Sequence, residues 1–182
     1  LRRRYQHQVL LSRVTDTAGS NSCLYNGNEI TENTPSLGYI LGDEGSGAHL
    51  GRQLVSDCIK KQLKKEIREK FMQQYNLDVA SILERVYHTP LPNRWLASLT
   101  PFILENRNNA DIHAMVTSCF IQFFKRNVMV YRHSWLPIHI IGGIGISFAE
   151  EIKEAAESLG LAIGNIVESP MEGLIRYHSN NQ

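Results

Sequence analysis

The sequence predicts an α/β fold, and three observations predict it. Short apolar runs of strand length alternate with stretches whose apolar residues recur at threes and fours. Glycines stand where such a run gives way to helical spacing, as in "IIGGIGISF" from Ile140 to Phe148. The composition is that of a globular domain, 42% hydrophobic and 20% charged over 182 residues, and a chain of this length buries roughly 70% of its unfolded surface.

Charge and cysteine usage narrow the function classes. Nineteen basic and eighteen acidic residues leave a net charge of +1, which gives no electrostatic footprint for a nucleic-acid or membrane partner. No apolar run reaches membrane-spanning length and no signal-peptide pattern is visible, so the expected address is cytoplasmic. Cys23, Cys58 and Cys119 are odd in number and far apart, with no paired metal-ligand spacing. They read as reduced thiols, and no metal site is expected from side chains alone.

Taken in order, the opening "LRRRYQHQVLLSRVTD" shows neither a capped helix nor a clean alternation. Residues 1–15 read as an atypical or truncated start, with Arg2 to Arg4 as a solvated terminus. From Asn21 to Glu32, "SCLY" and "EIT" flank Asn26-Gly27-Asn28, whose Asn-Gly pair suits a tight hairpin. "LGYIL", Leu37 to Leu41, reads as a further strand. A helix is expected from Ser46, with Leu50, Leu54, Cys58, Val55, Ile59, Leu63, Ile67 and Phe71 on one side and a solvated lysine-rich face on the other. "DVASILERVY" and the segment from Asn93 to Glu105 read as helices, the second capped by Asn93. Ala110 to about Asn127 is a long helix, and its stripe of Ile112, Met115, Val116, Cys119, Phe120, Phe123 and Phe124 is explained by core packing.

The last third repeats the α/β alternation. "IHII" is a strand, Phe148 to Leu159 trace a helix that stops at Gly160, "LAIGNIV" is a strand, and Ser169-Pro170-Met171-Glu172 has the form of a capping box.

Three stretches carry chemistry. "YILGDEGSGAH" sets two adjacent carboxylates, Asp43 and Glu44, where an apolar run ends. Such a pair costs desolvation and mutual repulsion unless something polar is held there, and the bland alternative is that one of them caps the following helix. Gly45, Gly47 and Gly51 read as room for a ligand to approach backbone. Gly142 and Gly143 bring amides and a helix start to one point, which suits phosphate or a nucleotide edge and equally suits close packing of helix on sheet. "DTAGSNSC", Asp16 to Cys23, offers hydroxyls and amides to phosphate oxygens, or is an ordinary turn.

Together and in this order, the three stretches resemble the C-terminal lobe of the N-acetylglucosamine kinases and the related benzoyl-CoA reductase activator (BadF-type) ATPases, within the sugar kinase, heat-shock and actin superfamily. "LGDEGSGAHLG" and "SPMEGLIRYH" carry the resemblance most specifically, and it covers roughly Asp16 to His178. It implies an actin-like (ribonuclease H-like) ATPase lobe over residues 16–182, with a helical insertion at about 46–131. It implies transfer of the γ-phosphoryl group of ATP, accompanied by Mg²⁺, to an amino sugar, N-acetylglucosamine first among them. Thr17, Gly19 and Ser20 would lie in a phosphate turn, with Asn21 beside it on the substrate side. Asp43 would bind sugar hydroxyls, helped by Ser36 and Leu37, and Gly142 and Gly143 would border the adenosine. The catalytic base and a first phosphate turn would belong to an N-terminal lobe, which points to a frameshift, an alternative start or a fragment boundary before Thr17. Asp16 and Ala18 depart from the family's turn, adding a negative charge and a Cβ where phosphate would approach. A homodimer is among the assemblies this implies. The rival readings are a BadF-type activator holding an iron–sulfur cluster through paired cysteines, and a non-catalytic pseudokinase lobe that binds a sugar or nucleotide.

Overall fold

The computed structural model describes residues 6–11, as backbone, and 19–169. Its sheet has five strands in the order β3-β2-β1-β4-β5. The strands are β1 (Gln6–Leu11), β2 (Ser20–Tyr25), β3 (Ile30–Thr34), β4 (Ile138–Ile141) and β5 (Ile163–Val167). β1, β2 and β3 form an antiparallel meander, whereas β4 joins β1, and β5 joins β4, in parallel. The expected hairpin is present: Asn26 Oδ1 accepts from the amides of Asn28 and Glu29 and holds the turn between β2 and β3.

The register fixes which ends meet. Leu11 pairs with Ser20 across the antiparallel join, and Leu10 pairs with Ile141 across the parallel one. The start of β2 and the ends of β1 and β4 therefore share one edge of the sheet. Ligands of parallel sheets gather outside the carboxyl ends of strands for this reason. Residues 6–11, which show no clean strand alternation in sequence, are the central strand of this sheet, paired with β2 on one side and β4 on the other.

Between β3 and β4 the chain is helical: α1 (Gly38–Leu41), α2 (Gly47–Ile59), α3 (Lys65–Gln74), α4 (Val79–Tyr87), α5 (Pro92–Ala97), α6 (Thr100–Glu105) and α7 (Ala110–Phe123). A π-helical turn (Phe124–Val128) and a 3₁₀ turn (Met129–Tyr131) follow α7. α8 (Gly143–Ser147) and α9 (Ala149–Ser158) connect β4 to β5. The core lies where α2, α5, α6, α7 and α9 meet, and every residue of the stripe expected on α7 is buried there. Phe120 stacks toward Phe148 with centroids 6.1 Å apart, which ties α7 to the α8–α9 junction.

Several expectations are corrected. Leu37 to Leu41 is not a strand: Leu37 adopts a left-handed φ of 56°, Gly42 N–H donates to Gly38 O, and Ile40 and Leu41 stay exposed. Apolar content alone misled here, since these residues bury nothing. The helix read as continuous to Phe71 breaks after Ile59, where Lys61 turns left-handed at φ 59°. Asn93 is not a cap; α5 starts at Pro92 behind a left-handed Leu91, and a break at Ser98–Leu99 splits the segment into α5 and α6. Asp78, by contrast, caps α4 in a capping box with Ser81, and Gly160 sits left-handed just past α9 as expected. The capping box at Ser169–Glu172 extends beyond the described residues. Among the described residues no helix is long and apolar enough to cross a membrane.

Candidate functional site

The loop from Gly42 to Ser46 is built by short-range hydrogen bonds before any ligand is considered. Asp43 is left-handed at φ 59°, a conformation aspartate tolerates better than most residues. Its N–H donates to Ser36 O and its carbonyl accepts from Ser46 N–H. Ser46 caps α2, its hydroxyl oxygen accepting from the His49 amide. Neither Asp43 nor Glu44 is the cap, so the bland account of the acidic pair is excluded.

The three glycines that follow are occupied by the protein itself, which corrects their reading as room for a ligand. A Cβ on Gly45 would lie 3.2 Å from Phe123, one on Gly47 would lie 3.3 Å from Thr100, and one on Gly51 would lie 1.9 Å from Leu96 O. Gly45 is also left-handed at φ 75°, which strains any other residue. These glycines let α2 sink into the helical core, and that burial carries Asp43 and Glu44 inward with it.

The two carboxylates then diverge. Asp43 is buried, and its Oδ1 accepts the Ser20 N–H at 3.3 Å from the first residue of β2. Burial pushes its carboxyl above the ordinary aspartate range, with the Ser20 amide opposing, Glu44 adding to the rise and Arg52 opposing it. Glu44 is gripped by the π-helical turn: Arg126 Nε lies 2.5 Å from Oε1, and Asn127 Nδ2 donates to Oε2 at 3.2 Å. Burial alone would raise the Glu44 carboxyl; backbone, Asn127 and Arg126 together outweigh it and hold it below the ordinary range. Thus Glu44 anchors structure, and Asp43 is the carboxylate with no cation bound to it among the described residues.

His49 completes the loop from below. Its Nδ1 accepts the Gly45 N–H at 3.1 Å, and burial first, then Arg52, depress its pKa to about 4. It is a neutral imidazole near pH 7.

The expected site residues fall as follows. Gly19 and Ser20 lie against Asp43, and a Cβ at Gly19 would stand 2.9 Å from Asp43 Oδ1. Thr17 lies outside the described residues, as do Asp16 and Ala18. Ser36 reaches Asp43 through its carbonyl, while the Leu37 side chain is exposed. Asn21 points away from the buried face of β2, and its Oδ1 accepts from Ser22 N–H and from Asn33 Nδ2. Gly142 precedes α8, its N–H donating to Val167 O. Gly142 and Gly143 share the sheet edge with Ser20, two strand spacings or about 10 Å away. Gly47 meets Ile144 of α8, so the two glycine-rich stretches abut inside the molecule. Arg126 and Asn127 escaped sequence reading, because nothing in "FKRNV" signals a π-helical turn; such turns recur at functional sites.

A Gly19→Ala variant should displace the Asp43 carboxylate and cost about 1 kcal/mol of stability. Urea denaturation gives the cost, and a shift of the Asp43 carboxyl resonance gives the displacement; an unmoved resonance would contradict the contact.

The three cysteines are free, and Cys23 is half-buried on β2. Cys58 and Cys119 are buried among apolar neighbours, and burial pushes the Cys119 thiol up to about 12. Among the described residues no group of three or more histidine, cysteine or acidic side chains could hold a metal.

Comparison with solved structures places this arrangement among known proteins. The chain is similar, over 98% of its length, to the crystal structure of a putative N-acetylglucosamine kinase from Porphyromonas gingivalis, with a TM-score of 0.91 and 41% identity. A structure of a putative N-acetylglucosamine kinase from Chromobacterium violaceum aligns over 87% of the chain with a TM-score of 0.62 and 18% identity, a likeness of fold alone. The chain spans 62% of the first of these proteins and 55% of the second. No family model matches the sequence, and no curated protein matches it.

Proposed function

We propose, from this chain's kinship with the N-acetylglucosamine kinase family, that it forms the C-terminal lobe of an actin-like kinase that phosphorylates an amino sugar, N-acetylglucosamine, at the expense of ATP. The antiparallel meander continued by two parallel strands supports the actin-like (ribonuclease H-like) reading of the sheet. A helical insertion within the lobe, at about residues 46–131, matches the helical excursion between β3 and β4. On this reading the first phosphate turn and the catalytic base would belong to an N-terminal lobe.

The observation that carries the reading is the placement of Asp43. It is a buried carboxylate without a bound cation among the described residues, held at the edge where Ser20 begins β2 and Gly142 follows β4. A sugar hydroxyl donating to it would supply what the desolvated carboxylate lacks. Ser36 and Leu37 would line the same sugar, with Asn21 on the substrate side beside the phosphate turn. Gly19, Ser20 and Thr17 would belong to the phosphate turn, and Gly142 and Gly143 would border the adenosine. The Ser20 amide, given to Asp43, couples the nucleotide side of the site to the sugar side. Mg²⁺ would arrive with the phosphates of ATP, since the described residues hold no side-chain cluster for a resident ion. Its chemistry would be charge neutralisation on those phosphates.

Calorimetry tests the proposal. N-acetylglucosamine should bind with measurable heat, and Asp43→Asn should weaken that binding at least about tenfold, the loss of one charged hydrogen bond. Equal binding by wild type and variant would remove Asp43 from the sugar site. Sugar heat with no phosphoryl transfer in the complete two-lobed protein would instead favour a pseudokinase.

A further inference from the structure

A cleft of about 230 Å³ opens beside the Glu44 side of the loop, and Asp43 is not part of its wall. Gly42, Glu44, His49, Arg52, Gln122 and Arg126 line it. Nothing in the kinase reading uses these side chains.

The wall is rich in donors. His49 is only 5% exposed, and because its Nδ1 accepts the Gly45 amide, the neutral ring carries its proton on Nε2. That N–H has no protein acceptor among the described residues, and the ring that carries it lines the cleft. Arg52 spends one Nη on Tyr39 O, and Arg126 spends Nε on Glu44. The other guanidinium nitrogens have no acceptor among the described residues. Glu44 is the one carboxylate in the wall, and both of its oxygens are taken, by Arg126 and Asn127. The cleft therefore offers two guanidinium groups, an imidazole N–H and the Gln122 amide to whatever enters. Fork-shaped guanidinium donors match the oxygens of phosphate.

We propose that this cleft binds a phosphate group, either inorganic phosphate or a phosphate monoester of a small molecule, at a site separate from Asp43. The volume exceeds that of a few waters, at about 30 Å³ each, which leaves room for the body of a monoester behind its phosphate. Occupancy would add an acceptor for the His49 N–H and would bridge α2 to the π-helical turn through Arg52 and Arg126.

The test is calorimetric titration of the chain with inorganic phosphate and, separately, with glucose 6-phosphate, each repeated with saturating N-acetylglucosamine. Both the wild type and Arg52→Gln are measured, since Arg52 is exposed and its replacement leaves the core intact. Saturable binding that Arg52→Gln weakens at least about tenfold, with a shift of the His49 Nε2–H resonance, is the expected result. Tighter binding of the ester than of phosphate would identify a monoester as the ligand, and the reverse would identify the free ion. Binding that Arg52→Gln leaves unchanged, an unmoved His49 resonance, or displacement by N-acetylglucosamine would each overturn the separate site. The last of these would leave the kinase reading standing, and failure of the sugar to bind at all would leave the phosphate site standing.

Discussion

Gly51→Ala is expected to lower the stability of the chain by about 3 kcal/mol, at the upper end of overpacking effects. The added Cβ would lie 1.9 Å from Leu96 O, 2.7 Å from its carbonyl carbon and 3.2 Å from its Cα. All three atoms are backbone, so no side-chain rotation relieves the clash. Either α2 or α5 must move, and both are locked by Leu50, Leu54, Leu96 and Ala97, which are fully or almost fully buried. Because α2 carries His49 and is capped by Ser46, the same shift loosens the Asp43 loop. Urea denaturation of the variant gives the magnitude. A loss under about 0.5 kcal/mol, the range of neutral surface changes, would mean that the helices do not cross so closely in solution.

The second large effect is a dependence of stability on pH set by His49. Its pKa falls from 6.5 to about 4 in the folded chain, so between those values the unfolded chain binds a proton that the folded chain does not. Stability is therefore full above pH 6.5 and declines as pH falls toward 4, by about 3 kcal/mol over the whole interval. Glu44, held below its ordinary range, extends the decline to lower pH, since its contribution is lost as pH falls through the folded value. Asp43 acts in the opposite sense: its raised carboxyl favours the folded chain at low pH, and that contribution fades as pH rises through the folded value. His49→Gln should flatten the profile between pH 4 and 6.5. Chemical denaturation at several pH values reads this directly, and an unchanged slope in the variant would assign the titration to another group.

The sequence revealed the alternation of strands and helices, because hydrophobic period is a local property. It also revealed the α7 stripe, the hairpin at Asn26-Gly27-Asn28 and the stop at Gly160, each governed by residues close together in the chain. What it hid was decided by distant partners. The strand at residues 6–11 is central because β2 and β4 pair with its two edges, and β4 lies far along the chain. Leu37 to Leu41 looked like a strand, yet a left-handed Leu37 turns it into a short exposed helix. The acidic pair was legible as a site, but its division of labour was not. Arg126 and Asn127, far along the chain, decide that Glu44 is neutralised, and Ser20 decides where Asp43 points. The glycines after the pair misled for the same reason, since Phe123, Thr100 and Leu96 fill the space beside them.

The grip of the π-helical turn on Glu44 has a topological consequence. The chain departs for its helical excursion just after Glu44 and comes home at Arg126 and Asn127, so exit and return pass through a single doorway pinned by that carboxylate. Ser22 and Thr34 hydroxyls donating to Asn127 O bolt the doorway to the sheet. An excursion whose ends are already joined can be lengthened at its exposed turns with little strain on the frame it leaves, while its buried helices stay part of the common core.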